Sequence, residues 1–429
     1  MHFFYSRSIS LAVFYGYEVF TYRFLLDCGM IASVFIYMIK LSKIVIAVIF
    51  LVFIALGLPD ALLGSSWNQS RLDFGVEIGA IGFFTFVSYL SILLATFLAP
   101  QVLMVVKTQR ILFVSVLMMG LTLILISQVE SFWLLLLLAI PLGLGSGMID
   151  LSLQHYVAYH LKASHMNFLH SSYGIGVTTG PFLMANALAF FSWRQGYIWI
   201  GLALVGVSLL VLLSFKWWPD HAKKHVPTEN NAPIIKTFQT RGVKQSILIF
   251  LVAVHVESMI GVFIATYAFV VLGYSASVAA LATTTFFAAL TFVRLMTGAL
   301  GDRYHASFFV KAGQRGVLIG ALLLALSVQF PFLSFISFFI LGFSMGPIYP
   351  NMMHMNKERF GAQKLSRVMS LQMVIGYTGF GILTPLAGQW FERVSMSYLP
   401  YFIFLMGLAM LLLTTRYLKP DKPTISSPF

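Results

Sequence analysis

"LGLGSGMIDLSLQHYVAYHL", residues Leu142–Leu161, ends an apolar run with an aspartate, Asp150, at a depth where a lipid-facing helix would carry none. Moved along by about 200 residues, its first nine letters fall on "LGFSMGPIY" at Leu341, and "LLATFLAPQ" at Leu93 falls near "RLMTGALGD" at Arg294. The chain therefore reads as two equivalent halves, with a buried acid in the middle of one of them.

Composition sets the solvent. The chain has 429 residues, of which 59% are hydrophobic and 10% charged, a balance that fits a multispanning membrane protein and no soluble core. Its net charge of +13 is spread over short loops between apolar segments, which suits a membrane surface and excludes a nucleic-acid partner. The single cysteine, Cys28, excludes an intramolecular disulfide.

A spanning helix takes roughly 20 apolar residues. Twelve stretches qualify, at 43–65, 76–98, 110–127, 131–157, 167–191, 195–215, 245–272, 275–300, 314–330, 332–356, 366–390 and 396–416. If Lys43 starts the first helix from inside, 21 Lys and Arg fall in inner segments and three, Arg71, Arg194 and Arg393, in outer loops. That asymmetry places both bundle termini in the cytoplasm and the chain in the cell (inner) membrane. The expected organisation is an all-α membrane protein of two pseudo-symmetric six-helix bundles, 43–217 and 245–416, joined by a cytoplasmic loop, 218–244, and followed by a cytoplasmic tail, 417–429. Residues 1–42 are read as an extension: a surface-lying or disordered segment, a start-site artefact with Met38 as the natural start, or a thirteenth span.

Two halves related by a parallel repeat resemble the major facilitator superfamily, in which the substrate site lies between the halves near the midplane. "GALGDR", Gly298–Arg303, resembles its loop motif between the second and third helix of a half, without the usual basic ending; the first-half copy, "FLAPQVLMVVKTQR" from Phe97, has lost Gly and Asp. A further set is similar to the fucose permease-like branch of sugar:proton symporters. It comprises "GLPDALLGSSW" from Gly57, "GMIDLSLQHYVA" from Gly147, "MNFLHSSYGIGVTTGP" from Met166, "SWRQGYIWIG" from Ser192, "HVESMIGVFIATY" from His255 and "GPIYPNMM" from Gly346.

An ionisable group near the bilayer centre costs about 2.5–3.5 kcal/mol on insertion scales, so it faces a cavity, a partner or a proton. Asp60 follows a Gly57–Pro59 break in the first helix and either faces a cavity or satisfies amides freed by the proline. Asp150 either binds solute or proton or pairs with an arginine or histidine. Glu257, about 18 Å into the seventh helix at 1.5 Å per residue, is the first candidate for proton carrier. The resemblance implies that the first, fourth, seventh and tenth helices line the cavity, which would gather these acids with Gln154, Tyr349 and Asn351. Asn167, His170 and Tyr173, three apart on the fifth helix, form either a polar cavity face or a packing cluster. Arg294, two turns before Asp302, either serves structure and gating at the inner end of the eighth helix, as do Gly298, Asp302 and Arg303, or contacts substrate. His155, His160, His165 and His170 recur every five residues, a spacing that turns helical side chains apart, so no metal is expected.

The expected activity is proton-coupled alternating access for a small polar solute, a sugar first of all, by a protein that works as a monomer, surrounded by lipid. Proton-driven efflux of lipophilic or cationic compounds is the alternative. No nucleophile with its base, nucleotide loop or cofactor motif suggests an enzyme.

Overall fold

A computed structural model describes residues 43–161, 163–218, 237–300 and 303–418, with side chains at all of these except 158–159, 163–167, 298–300, 357–358, 361–366, 370 and 377. The expectations for 1–42, for the tail beyond 418, for Asp302 and for the side chains of Asn167 and Gly298 lie outside the described residues. Among the described residues there is no strand, and eleven helices are long and apolar enough to cross a membrane. In chain order these are α1 (Lys43–Asp73), α2 (Ile78–Val105), α3 (Thr108–Ile126), α4 (Phe132–Val157), α6 (Trp193–Trp217), α7 (Val243–Val270), α8 (Ala276–Thr297), α9 (Ala306–Leu326), α10 (Leu333–Asn356), α11 (Arg367–Arg393) and α12 (Met396–Tyr417). Between α4 and α6 runs α5 (Ala163–Phe190), also helical and 28 residues long.

Two elements differ from the hydropathy reading. The first helix runs eight residues past the expected 65, because its polar end is buried against protein rather than exposed to lipid. There Trp67 is fully buried and donates to the Ile78 carbonyl at 2.8 Å, and buried Asn68 donates to the Ala265 carbonyl of α7 at 3.2 Å. The ninth helix starts at Ala306, not 314, with Lys311 and Arg315 in its early turns. Backbone hydrogen bonding there continues beyond the apolar stretch that defines a span, and Gln314, buried, donates to Thr414 at 2.8 Å.

Helical hydrogen bonding is continuous from Ile348 to Arg393, yet the segment doubles back. In a straight helix Asn356 and Gln372 would stand about 24 Å apart, whereas the Asn356 amide donates to Gln372 Oε1 at 2.7 Å. Phe250 touches both arms: its ring lies 5.3 Å from that of Tyr349, and it lies against Gly376. Ser246 of α7 completes the tie, donating to Asn356 Oδ1 at 3.0 Å and accepting from Gln372 at 2.8 Å. The expected pair of spans, 332–356 and 366–390, is thus realised as two antiparallel arms.

The sequence repeat is a packing repeat. Gly143 and Gly147 of α4 lie against the Ser88 and Ile92 carbonyls of α2; Gly342 and Gly346 of α10 lie against the Phe286 and Leu290 carbonyls of α8. Small residues at these crossings let backbones approach, which is how helices gain contact in lipid. The halves meet at the end that carries Arg71, Arg194 and Arg393. Here Asn68 reaches α7, Ser277 of α8 donates to the Ala185 carbonyl of α5 at 3.0 Å, and Glu392 of α11 accepts from the Gly79 amide at 2.8 Å. These joints tie the halves together at that end.

The closest approach in the first half joins α1 to α5, where a methyl on Gly176 would overlap the Ile54 carbonyl and meet Gly57 Cα at 3.0 Å. Gly176→Ala is expected to cost about 1–3 kcal/mol through overpacking. Gly206→Ala, where nothing lies within 4 Å, is expected to be neutral or to stabilise by up to about 1 kcal/mol through helix propensity. Thermal unfolding of the two variants in detergent checks the contrast.

Candidate functional site

The break in α1 is where the first acid is placed. Pro59 has no N–H to offer the helix, and the chain passes it through tighter bonds, Asp60 N to the Gly57 carbonyl at 3.3 Å and Leu62 N to the Pro59 carbonyl at 3.1 Å. Asp60 sits on this turn, exposed to the space between the halves, and accepts a short hydrogen bond from the Tyr173 hydroxyl of α5. Asp150 and Gln154 are one turn apart on α4, and the amide donates to the carboxylate at 2.7 Å. On the facing half, Glu257 of α7 pairs with Arg294 of α8 at 3.2 Å, and Arg294 Nε donates to the Gly346 carbonyl of α10 at 3.2 Å.

These groups share one cavity of about 270 Å³, lined by Asp60, Asp150, Gln154, Glu257 and Arg294, with His170, Tyr173 and Tyr349. That volume is near the lower end of the range for small-molecule sites, roughly 300–1,000 Å³. The two walls differ. The first half supplies Asp60 and Asp150, each held by a neutral donor, while the second supplies the compensated Glu257–Arg294 pair and an apolar surface that includes Phe287, Met373 and Phe380.

Several sequence expectations are displaced. Arg294 lines the cavity, where it donates to Glu257 of opposite charge. Asn351 is not among the cavity-lining residues, because its amide donates to the Pro347 carbonyl one turn back at 2.7 Å. Tyr349 does line the cavity, packed against Phe250. Arg303 is exposed in the turn after α8. Among the described histidines, His170 lies edge-on to Phe53 in the cavity wall, while His160 stacks on Tyr156 and contacts its carbonyl.

Sequence reasoning named Tyr173 but not its role as donor to Asp60; the three-residue spacing from His170 is the signal that puts both on one face. Tyr89 of α2 and Phe380 of α11 were missed. Their rings meet between the halves with centroids 3.9 Å apart, and both line the cavity beside Asp60. Within apolar runs neither carries a mark that separates it from a lipid-facing aromatic.

Known proteins point the same way. A family profile described as Major Facilitator Superfamily matches residues 45–280 and 246–428. No curated protein sequence matches the chain. Among solved structures, a point mutant of the nucleoside transporter NupG superposes with a TM-score of 0.72 at 12% identity, over 88% of this chain and 100% of that one. NupG itself superposes at 0.71 and 12% identity, over 88% and 98%. A bacterial homologue of the human lysosomal transporter Spinster, inward-facing and unoccupied, superposes at 0.65 and 13% identity, over 89% and 92%. Such identities speak for the fold alone, whereas the profile covers nearly all the described residues. The chain belongs to the major facilitator superfamily, as a membrane transporter of small solutes and not an enzyme.

Proposed function

We propose that this transporter moves a small polar solute, a sugar-like molecule, together with protons by alternating access in the cell membrane, with both bundle termini in the cytoplasm. The observation that carries this reading is the shared cavity of Asp60, Asp150, Gln154, His170, Tyr173 and Tyr349: carboxylates, an amide, an imidazole and phenols around one small void. A polyol asks for several hydrogen-bonding groups and a flat face to lie against. Tyr349 offers that face.

Charge accounting divides the acids. The Glu257 charge is balanced by Arg294, but Asp60 and Asp150 face only neutral donors. Enclosing two uncompensated carboxylates in a sealed chamber is costly, so closure around solute calls for protons on them. Asp60 and Asp150 therefore stand as carriers, and Glu257, which sequence alone singled out, acts with Arg294 as a polar pair on the solute. Gly298, Asp302 and Arg303 remain assigned to the inner gate.

A second reading has one observation in its favour. The same uncompensated acids facing Phe287, Met373 and Phe380 would also suit a lipophilic cation exported against protons. Proton-dependent ethidium uptake by inside-out vesicles, abolished in Asp150→Asn, would select it over sugar symport.

In proteoliposomes, Asp60→Asn and Asp150→Asn are each expected to keep hexose counterflow, which moves no net protons, and to lose accumulation driven by a pH gradient. Accumulation at the wild-type level in both variants would overturn the coupling. For the pair, Glu257→Gln and Arg294→Gln should each destabilise, and the double variant should show a coupling of about 0.5–3 kcal/mol in a thermodynamic cycle, read from detergent unfolding.

A further inference from the structure

One face of α2 runs antiparallel along one face of α11, from the end that carries Arg71, Arg194 and Arg393 to the cavity. On α11 that face reads Glu392, Gly388, Pro385 and Gly381, at the three- and four-residue steps that keep side chains on one side of a helix. Opposite stand Gly79, Gly82 and Tyr89 of α2. A methyl on Gly79 would meet Glu392 Oε2 at 2.5 Å and the Gly388 carbonyl at 3.1 Å, one on Gly82 would overlap Pro385, and one on Gly381 would lie 3.5 Å from Tyr89. The seam ends in the Tyr89–Phe380 ring pair, which lines the cavity.

The other end of the seam is charged. The first turn of α2, from Ile78, carries N–H groups that no carbonyl of its own helix can meet, and Glu77, at the N-cap, offers its side chain to none of them. A cap comes from the other half: Glu392, half-buried, accepts from the buried Gly79 amide at 2.8 Å. Glu392 makes no ion pair among the described residues, so its charge is met by that amide and by the positive end of α2. Three further joints across the halves are neutral. Ser277 donates to the Ala185 carbonyl, the Thr178 and Thr291 hydroxyls lie 3.4 Å apart, and Asn68 donates to the Ala265 carbonyl while its Oδ1 is buried without a partner. A bond to a carboxylate is roughly twice as strong as a neutral one, and an unpaired buried acceptor weakens the joint that buries it.

We propose that Glu392 is the latch of this end: it caps α2 in trans only while the halves meet here, and its release lets α2 and α11 separate and the cavity open toward this end, which faces outward in the proposed orientation. A contact made in one state alone shifts the balance between two states by its own free energy, so this one carboxylate sets the preference for the joined state. The inference rests on alternating access and on that orientation, and on neither the solute nor proton coupling.

The test reads the cavity from both sides of the membrane. In a Cys28→Ser background, which leaves no other cysteine, Ser146→Cys puts a reporter thiol in the cavity wall. A membrane-impermeant maleimide is applied to right-side-out and inside-out vesicles carrying Glu392→Ala, Glu392→Gln or Ser277→Ala. In right-side-out vesicles Glu392→Ala should label about tenfold faster than the parent or more, the worth of a bond to a charged group; in inside-out vesicles it should label no faster. Glu392→Gln, which keeps an acceptor without the charge, should fall between. Ser277→Ala should stay within about threefold of the parent, the worth of a neutral bond in a membrane interior. A loosened fold would label faster from both faces, so the one-sided change marks a shifted equilibrium. Faster labelling of Glu392→Ala from both faces or from neither, or an equal effect of Ser277→Ala, overturns the latch. An increase confined to inside-out vesicles leaves the latch standing and overturns the outward orientation, a distinguishable result.

Discussion

A bilayer does not solvate charge, and the interior of this protein is arranged around that fact. Each carboxylate held among the spans has a donor within the protein: a phenol for Asp60, an amide for Asp150, a guanidinium for Glu257. The broken turn at Pro59 and the glycine crossings within each half are what bring those donors within reach. Without a void between the halves the acids would face hydrocarbon, at a cost that sequences avoid unless the charge has a use.

The architecture was legible because its signals are long. Twelve apolar stretches and a repeat near 200 residues survive local irregularity, and the buried acids stand out by violating the composition around them. Boundaries were legible only where lipid defines them. The end of α1 is stabilised by protein contacts of Trp67 and Asn68, which hydropathy counts against a span.

The site was legible residue by residue but not pair by pair. Glu257 and Arg294 are both visible as intramembrane charges, but their pairing across α7 and α8 depends on the rotation of two helices about their axes. Asn351 has the chemistry of a solute ligand, yet a carbonyl one turn away takes its amide. Conversely, Tyr89 and Phe380 have the composition of a lipid face and are turned inward by the meeting of α2 and α11. Chemistry can be read from residue type; direction is set by packing.

The pairs that hold the acids all lie within one half: α1 with α5, α4 with itself, α7 with α8. What crosses between the halves is mostly neutral, such as the Asn68 amide and the Ser277 hydroxyl on backbone carbonyls. None of these three carboxylate–donor contacts spans the two halves, so each of these carboxylates travels with its donor when the halves pivot. A pivot of the halves has to break these neutral hydrogen bonds, each worth about 0.6 kcal/mol in a membrane interior, together with the Glu392–Gly79 bond and the packing of Gly82 on Pro385 and of Tyr89 on Phe380.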